Sequence, residues 1–156
     1  MENNIQKELK VSALENGTVI DHIPSDRLFT AIRILNLDGS PNPVYFGTNM
    51  NSQKYGSKGI IKISGRYFGR EEINKIALVA PTATLIEIKD YKVVSKYDVE
   101  TPSEVQSFVK CFNPKCITNH QAVPTKFKVF TDANGVLKLR CHYCEKTTTQ
   151  ENMVFQ

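Results

Sequence analysis

Long apolar runs are missing from this chain of 156 residues. Its longer ones, such as Ile76-Ala77-Leu78-Val79-Ala80, fall far short of the roughly 20 residues that a bilayer-spanning helix needs, so no membrane partner is expected. The N-terminus, Met1-Glu2-Asn3-Asn4-Ile5-Gln6-Lys7-Glu8, is polar and mixed in charge, unlike a secretion signal. A cytoplasmic location is expected, where reduced cysteines favour metal over disulfide. An excess of one charge is also lacking. Residues 1–101 carry 13 Lys and Arg against 12 Asp and Glu, and residues 102–156 carry 7 against 4. One zinc held by four thiolates would lower the second figure further, leaving no basic surface that demands nucleic acid. Catalytic signatures are absent too: there is no P-loop and no nucleophile elbow. Asp21-His22 is the one adjacent acid–imidazole pair, and it has no evident nucleophile.

Cysteine is scarce but concentrated. All 4 cysteines lie between positions 111 and 144, as Cys111-x4-Cys116 and Cys141-x2-Cys144 separated by 24 residues. Zinc takes four tetrahedral ligands, and each short Cys loop can offer two thiolates to one metal. The intervening segment reads as a hairpin. Thr125-Lys126-Phe127-Lys128-Val129-Phe130 and Val136-Leu137-Lys138-Leu139-Arg140 alternate in polarity around an Asp132-Ala133-Asn134-Gly135 turn. Two disulfides or buried thiols are the alternatives, and His120 or His142 could replace a cysteine as ligand. Four sulfur ligands leave no open position, so one structural Zn2+ is expected rather than a catalytic one. In so small a domain the metal would supply much of the folding free energy.

Residues 1–101 read as an α+β domain and 102–156 as a small all-β zinc-binding domain, with Val99-Glu100-Thr101-Pro102-Ser103 as linker. In the first domain, Leu9–Leu14 reads as a strand and Thr18–Ile23 as a short extra extended piece after the Asn16-Gly17 turn. A helix is expected from a Ser25 or Asp26 cap, with Leu28, Ile32 and Leu35 on one face. Strands follow over 44–50 and 57–64. A second helix places Ile73, Ile76, Ala77 and Ala80 at i, i+3, i+4 and i+7, and Pro81 stops it. Thr84–Ile88 and Tyr91–Val94 close the region as strands. The order is the split βαβ, ferredoxin-like arrangement: an antiparallel sheet with two helices on one face. Such a fold assigns no function by itself.

Specific segments carry a resemblance. Gly17-Thr18-Val19-Ile20-Asp21-His22-Ile23-Pro24 closely resembles the "GTVIDHIP" segment of the regulatory chain of bacterial aspartate carbamoyltransferase. The likeness continues, in collinear order, through Leu78-Val79-Ala80-Pro81-Thr82-Ala83-Thr84 and Tyr91-Lys92-Val93-Val94. It runs on into Cys111, Asn113, Cys116 and Ile117, then Cys141-His142-Tyr143-Cys144-Glu145-Lys146.

The resemblance implies a non-catalytic allosteric subunit of pyrimidine biosynthesis. Its first domain would bind nucleoside triphosphates, CTP and UTP as inhibitors and ATP as activator. Its zinc domain would dock on the aspartate carbamoyltransferase catalytic chain, and pairs of regulatory chains would form dimers bridging catalytic trimers. The family's nucleotide contacts fall here on Val11, Ala13 and Leu14 at the base, Asp21 and Lys62 near the ribose, and His22 and Lys96 near the phosphates. Ile88, Tyr91 and Val93 supply the remaining walls. The chain departs from the pattern at Ile86, where the family often has asparagine; Lys58 and Lys89 are nearby candidates to compensate. A zinc-ribbon nucleic-acid-binding protein is the alternative reading. It rests on Phe127 and Phe130 interleaved with Lys126, Lys128, Lys138 and Arg140. A small nucleotide-dependent enzyme on the same fold is the other.

Overall fold

A computed structural model of the chain describes residues 14–53 and 56–156. The strand expected over Leu9–Leu14 lies outside the described residues apart from Leu14. The described chain forms two compact units that divide between Glu100 and Thr101. Among the described residues no helix is long and apolar enough to cross a membrane.

The first unit runs β1 (Gly17–Ile23), α1 (Leu28–Ile34), β2 (Val44–Ser52), β3 (Gly56–Ser64), α2 (Arg70–Val79), β4 (Thr84–Lys89) and β5 (Lys92–Asp98). The sheet is antiparallel in the order β2-β3-β1-β4-β5. This is the ferredoxin-like order with β5 added beyond β4. The segment read as a short extra piece is thus the central strand. Both Val19 and Ile20 are fully buried although they point to opposite faces. A strand covered on both sides loses the polar alternation that marks half-buried strands, which is why the sequence understated it.

One face of the sheet packs on the helices. The floor is Ile20, Ile61, Ile63 and Leu85, under Leu28, Ala31 and Leu35 of the α1 segment and Ile76 to Ala80 at the end of α2; all are buried. Gly59 lies so close to Leu28 that an added Cβ would sit 3.0 Å from its Cδ1, fixing this as the helix side of β3. Ala31, rather than the expected Ile32, takes the inner position between Leu28 and Leu35. The expected cap is not made either. Ser25–Arg27 forms a 3-10 turn ahead of α1, without a side-chain cap bond. At α2 the expected stop holds: Ala80, just before Pro81, leaves the helical region at φ −136° and ψ 76°.

The second unit contains β6 (Glu104–Gln106), β7 (Val109–Lys110), β8 (Lys126–Thr131), β9 (Leu137–Cys141), β10 (Thr147–Thr149) and β11 (Val154–Phe155). β10-β9-β8-β6 form one sheet and β11-β7 a small second one. The expected hairpin is β8–β9, in the register Phe127↔Cys141 to Thr131↔Leu137. Phe127 and Leu139 are fully buried on its inner side, with Val129 and Leu137 beside them.

Candidate functional site

The second unit brings its four cysteines to one point. Their Sγ atoms all lie within 4.8 Å of one another, and Cys111, Cys116 and Cys141 are buried. Cys111 and Cys144 are 3.7 Å apart, as are Cys116 and Cys141. A disulfide would need about 2.05 Å, so neither pair is bonded. A tetrahedron with sulfur about 2.3 Å from its centre has edges of about 3.8 Å. The donor set therefore fits one structural zinc, and its size leaves no open coordination position.

The surrounding backbone explains how the loops converge. Cys116 N–H donates to the Asn113 carbonyl at 3.0 Å, and the Asn119 amide donates to the carbonyls of Cys111 (3.0 Å) and Asn113 (2.7 Å), closing the x4 loop. Glu145 takes φ 63° beyond the second pair, where its N–H reaches the Cys141 carbonyl at 3.0 Å. The thiols divide electrostatically. Burial pushes Cys111 and Cys141 up. For Cys116 burial also raises, but the Thr118 hydroxyl, 3.2 Å from its sulfur, and the Thr118 N–H outweigh it and the thiol is lowered. Cys144 is lowered to about 7: the Lys146 N–H, the Asn113 side chain and the neighbouring thiols overcome its burial. Either sulfur of each 3.7 Å pair can donate to the other, and a bound cation would displace those protons. Neither histidine belongs to the cluster. His120 Nε2 is 2.7 Å from the Pro114 carbonyl, and the His142 ring packs edge-on to Tyr143. Among the described residues this is the one group of three or more His, Cys, Asp or Glu placed to hold a metal.

The first unit has a second candidate, on the sheet face away from the helices. Lys62 pairs with Val19, Val19 with Ile86, and Ile86 with Lys96. Directly paired residues share a face, so these four form one row across β3, β1, β4 and β5. At about 4.8 Å per strand, the two lysines bracket an apolar floor about 14 Å wide. Leu14, Val19, Ile86 and Ile88 form a buried cluster there, with Ile60 packed against it. Ile86 is therefore a floor residue, between Val19 and Lys96 across the sheet and packed with Leu14 and Ile88.

Two irregularities bring further expected residues to this face. Between Glu87↔Ser95 and Ile88↔Val93 the register of β5 shifts by one. In a regular strand Val93 and Lys96, three apart, would face opposite ways; the extra residue puts both on the open side. β1 carries a second bulge between Ile20 and Ile23, and both of those side chains stay in the helix-side core. Asp21 pairs with Thr84 on the open side, and His22 takes φ 58° in the bulge. Asp21 Oδ1 lies 2.8 Å from Lys58 Nζ and accepts the His22 N–H at 2.7 Å. His22 Nδ1 is 2.9 Å from Thr84 Oγ1. Beside them lies a cleft of about 380 Å³, lined by His22, Pro24, Ser25, Ser57, Lys58 and Thr82 among others. Tyr91 stands at the exposed β4–β5 tip at φ 64°, its N–H bonded to the Glu15 carbonyl at 2.9 Å. Val11 and Ala13 lie outside the described residues. Of the two candidate compensating lysines, Lys58 is held by Asp21, and Lys89 lies over the Tyr67 ring.

Val19, Thr84 and Asp98 were not singled out from sequence. A valine or threonine inside a strand carries no signal until the register is known.

The comparisons with known proteins agree with this division. Residues 9–100 match the family model described as aspartate carbamoyltransferase regulatory chain, allosteric domain. Residues 103–154 match that of the same chain's metal binding domain. An aspartate carbamoyltransferase regulatory chain of Phocaeicola vulgatus is 49% identical over 148 residues, covering 95% of this chain and 94% of its own. The corresponding chain of Thermococcus sibiricus is 51% identical, covering 95% and 96%. That of Pyrococcus abyssi is 50% identical over 149 residues, covering 94% and 97%.

Proposed function

We propose, from the premise that this chain belongs to the aspartate carbamoyltransferase regulatory chain family, that it binds nucleoside triphosphates on the sheet face of its first unit away from the helices and passes the effect to catalytic chains through its zinc-holding second unit. It is a regulatory chain and not a catalytic one, and its partner is the aspartate carbamoyltransferase catalytic chain. CTP and UTP are the inhibitors and ATP the activator, acting in the cytoplasm on an assembly in which regulatory dimers bridge catalytic trimers.

The carrying observation is the row Lys62–Val19–Ile86–Lys96: an apolar floor bracketed by two cations. A base can lie at the edge of this floor, against the exposed Tyr91 and Val93, and strand backbone groups can read its edge. Lys96 offsets phosphate charge, and Asp21 accepts from ribose hydroxyls. Ile86 offers no hydrogen bond at the centre of the floor, so discrimination between bases falls to the backbone and the walls. The four thiolates would hold zinc; bound there, the metal supplies cross-linking and folding free energy but no catalysis.

Titration of CTP and ATP into the intact chain tests the nucleotide site. Lys96→Ala removes a charged hydrogen bond worth about 1.5–3 kcal/mol, so affinity for either triphosphate should fall at least about tenfold while assembly with catalytic chains persists. Unchanged affinity, or failed assembly, would contradict the placement of Lys96.

The nucleic-acid alternative loses its aromatic pair. Phe127 is fully buried and only Phe130 reaches the surface. Lys138 is held by Asp132 at 2.9 Å.

A further inference from the structure

Tyr67, in the loop joining β3 to α2, reaches across the end of the sheet to β4. Its hydroxyl donates to the Ile88 carbonyl at 2.6 Å, the short end of the ordinary range. Lys89 Nζ lies 5.3 Å from the centre of its ring. Ile88 belongs to the apolar floor, so Lys89, the next residue along β4, points to the opposite, helix-covered face. Tyr67 therefore meets β4 from behind the floor.

The loop that carries Tyr67 is itself fixed. The Gly65 N–H donates to the Asn16 carbonyl at 2.8 Å, and the Thr18 hydroxyl donates to the Arg66 carbonyl at 2.6 Å. The Arg66 guanidinium donates to the Leu35 carbonyl, just past α1, at 3.1 Å and to Glu72 of α2 at 3.0 Å. The β4–β5 tip, by contrast, needs outside support. Asp90 and Tyr91 hold positive φ, and the register of β5 shifts beside them. Two of the tip's ties run to the Glu15 carbonyl and to Asn16 Oδ1, and Gly65 holds Asn16 in turn. The third comes from Tyr67 directly.

We infer that Tyr67 is a positioning residue for the nucleotide site: anchored to the helix layer through Arg66, it braces the β4–β5 tip from behind and holds Tyr91 and Val93 where a base meets them. The contact between base and tip rests on the proposed function; the brace itself does not. Lys96 lies beyond the register shift, in the regular part of β5 paired to Ile86, so the phosphate end does not depend on Tyr67.

The test compares amide resonances of the full zinc-loaded chain in the wild type and in Tyr67→Phe, which keeps the ring and removes only the hydroxyl. Without nucleotide, hydrogen exchange at Asp90 and Tyr91 should be several-fold faster in the variant, with exchange in α2 unchanged. Lys89→Met, which spares the hydroxyl bond and removes the cation above the ring, should speed the same amides less. Tyr67→Phe should bind CTP up to roughly tenfold more weakly, the span of one lost neutral hydrogen bond. At saturating CTP the Val93 amide should shift less than in the wild type, while the Lys96 amide shifts equally in both. General loosening of the domain would diminish both shifts together. Unchanged exchange at Asp90 and Tyr91 in both variants would overturn the brace. Faster exchange with unchanged CTP affinity, or equal losses at Val93 and Lys96, would overturn the positioning role. A wild type that binds neither CTP nor ATP would overturn the nucleotide reading and the positioning role with it, while exchange at the tip still decides the brace.

Discussion

Asp90 and Tyr91 both hold positive φ, 51° and 64°, at the two-residue tip joining β4 to β5. This is the hairpin turn that normally takes asparagine and glycine. A tyrosine there costs about 1–2 kcal/mol relative to an unstrained residue. The turn persists because its N–H groups are tied down, Tyr91 to the Glu15 carbonyl and Asp90 to Asn16 Oδ1. Such strain points to a role for the ring, which stands 61% exposed at the edge of the apolar floor. Tyr91→Gly should leave the unfolding free energy from denaturant titration unchanged or raise it, by no more than about 1 kcal/mol, yet weaken CTP binding. Lost stability with intact binding would make Tyr91 a purely structural residue. At this scale the cysteines were fully legible, because metal ligation depends on residue type and spacing. The strain at Tyr91 was not, since nothing in Lys89-Asp90-Tyr91-Lys92 resembles a favoured turn sequence.

The hairpin β8–β9 and the two bulges show what an element's sequence does and does not disclose. The hairpin was legible because alternation and an Asp-Ala-Asn-Gly turn point the same way. Its turn is closed by Asp132, whose Oδ1 accepts the N–H groups of Asn134 (2.9 Å) and Val136 (3.0 Å) while Oδ2 meets Lys138. Lys138 first, then the Val136 N–H, holds this carboxyl below its usual range. A depressed carboxyl stabilises above its unfolded value and loses that contribution as pH falls through the folded one. Hydrogen exchange at Asn134 and Val136, corrected for its intrinsic pH dependence, should therefore show falling protection only below the ordinary aspartate range. Protection lost already between pH 5 and 6 would contradict this. The bulges of β1 and β5 were illegible for a different reason. One inserted residue reverses the face of everything beyond it, and the hydrophobic pattern alone does not reveal where the insertion lies. Val93 and Lys96 share one face only because the register of β5 shifts between them.

Across the whole molecule, the two units answer to different forces. The first has its own helix-covered core; the second is gathered around the thiol cluster, with Phe127 and Leu139 as its apolar complement. Removing the metal with a chelator or a mercurial should therefore melt residues 101–156 while the first unit keeps its sheet. Hydrogen exchange resolved by unit should separate the two, and a second unit protected equally with and without metal would contradict the role of the cluster. The same treatment should release catalytic chains. The central claim is a coupling between a nucleotide on one unit and catalytic chains bound through the other, of the order of 1–3 kcal/mol in typical allosteric systems. The most direct test is the aspartate saturation curve of the catalytic trimer, alone, with this chain, and with this chain plus CTP or ATP. The account predicts that this chain changes the curve and that CTP and ATP shift it further, roughly 5- to 150-fold in apparent affinity at the extremes, only when zinc-loaded chain is present. Curves that superimpose under all conditions would contradict it.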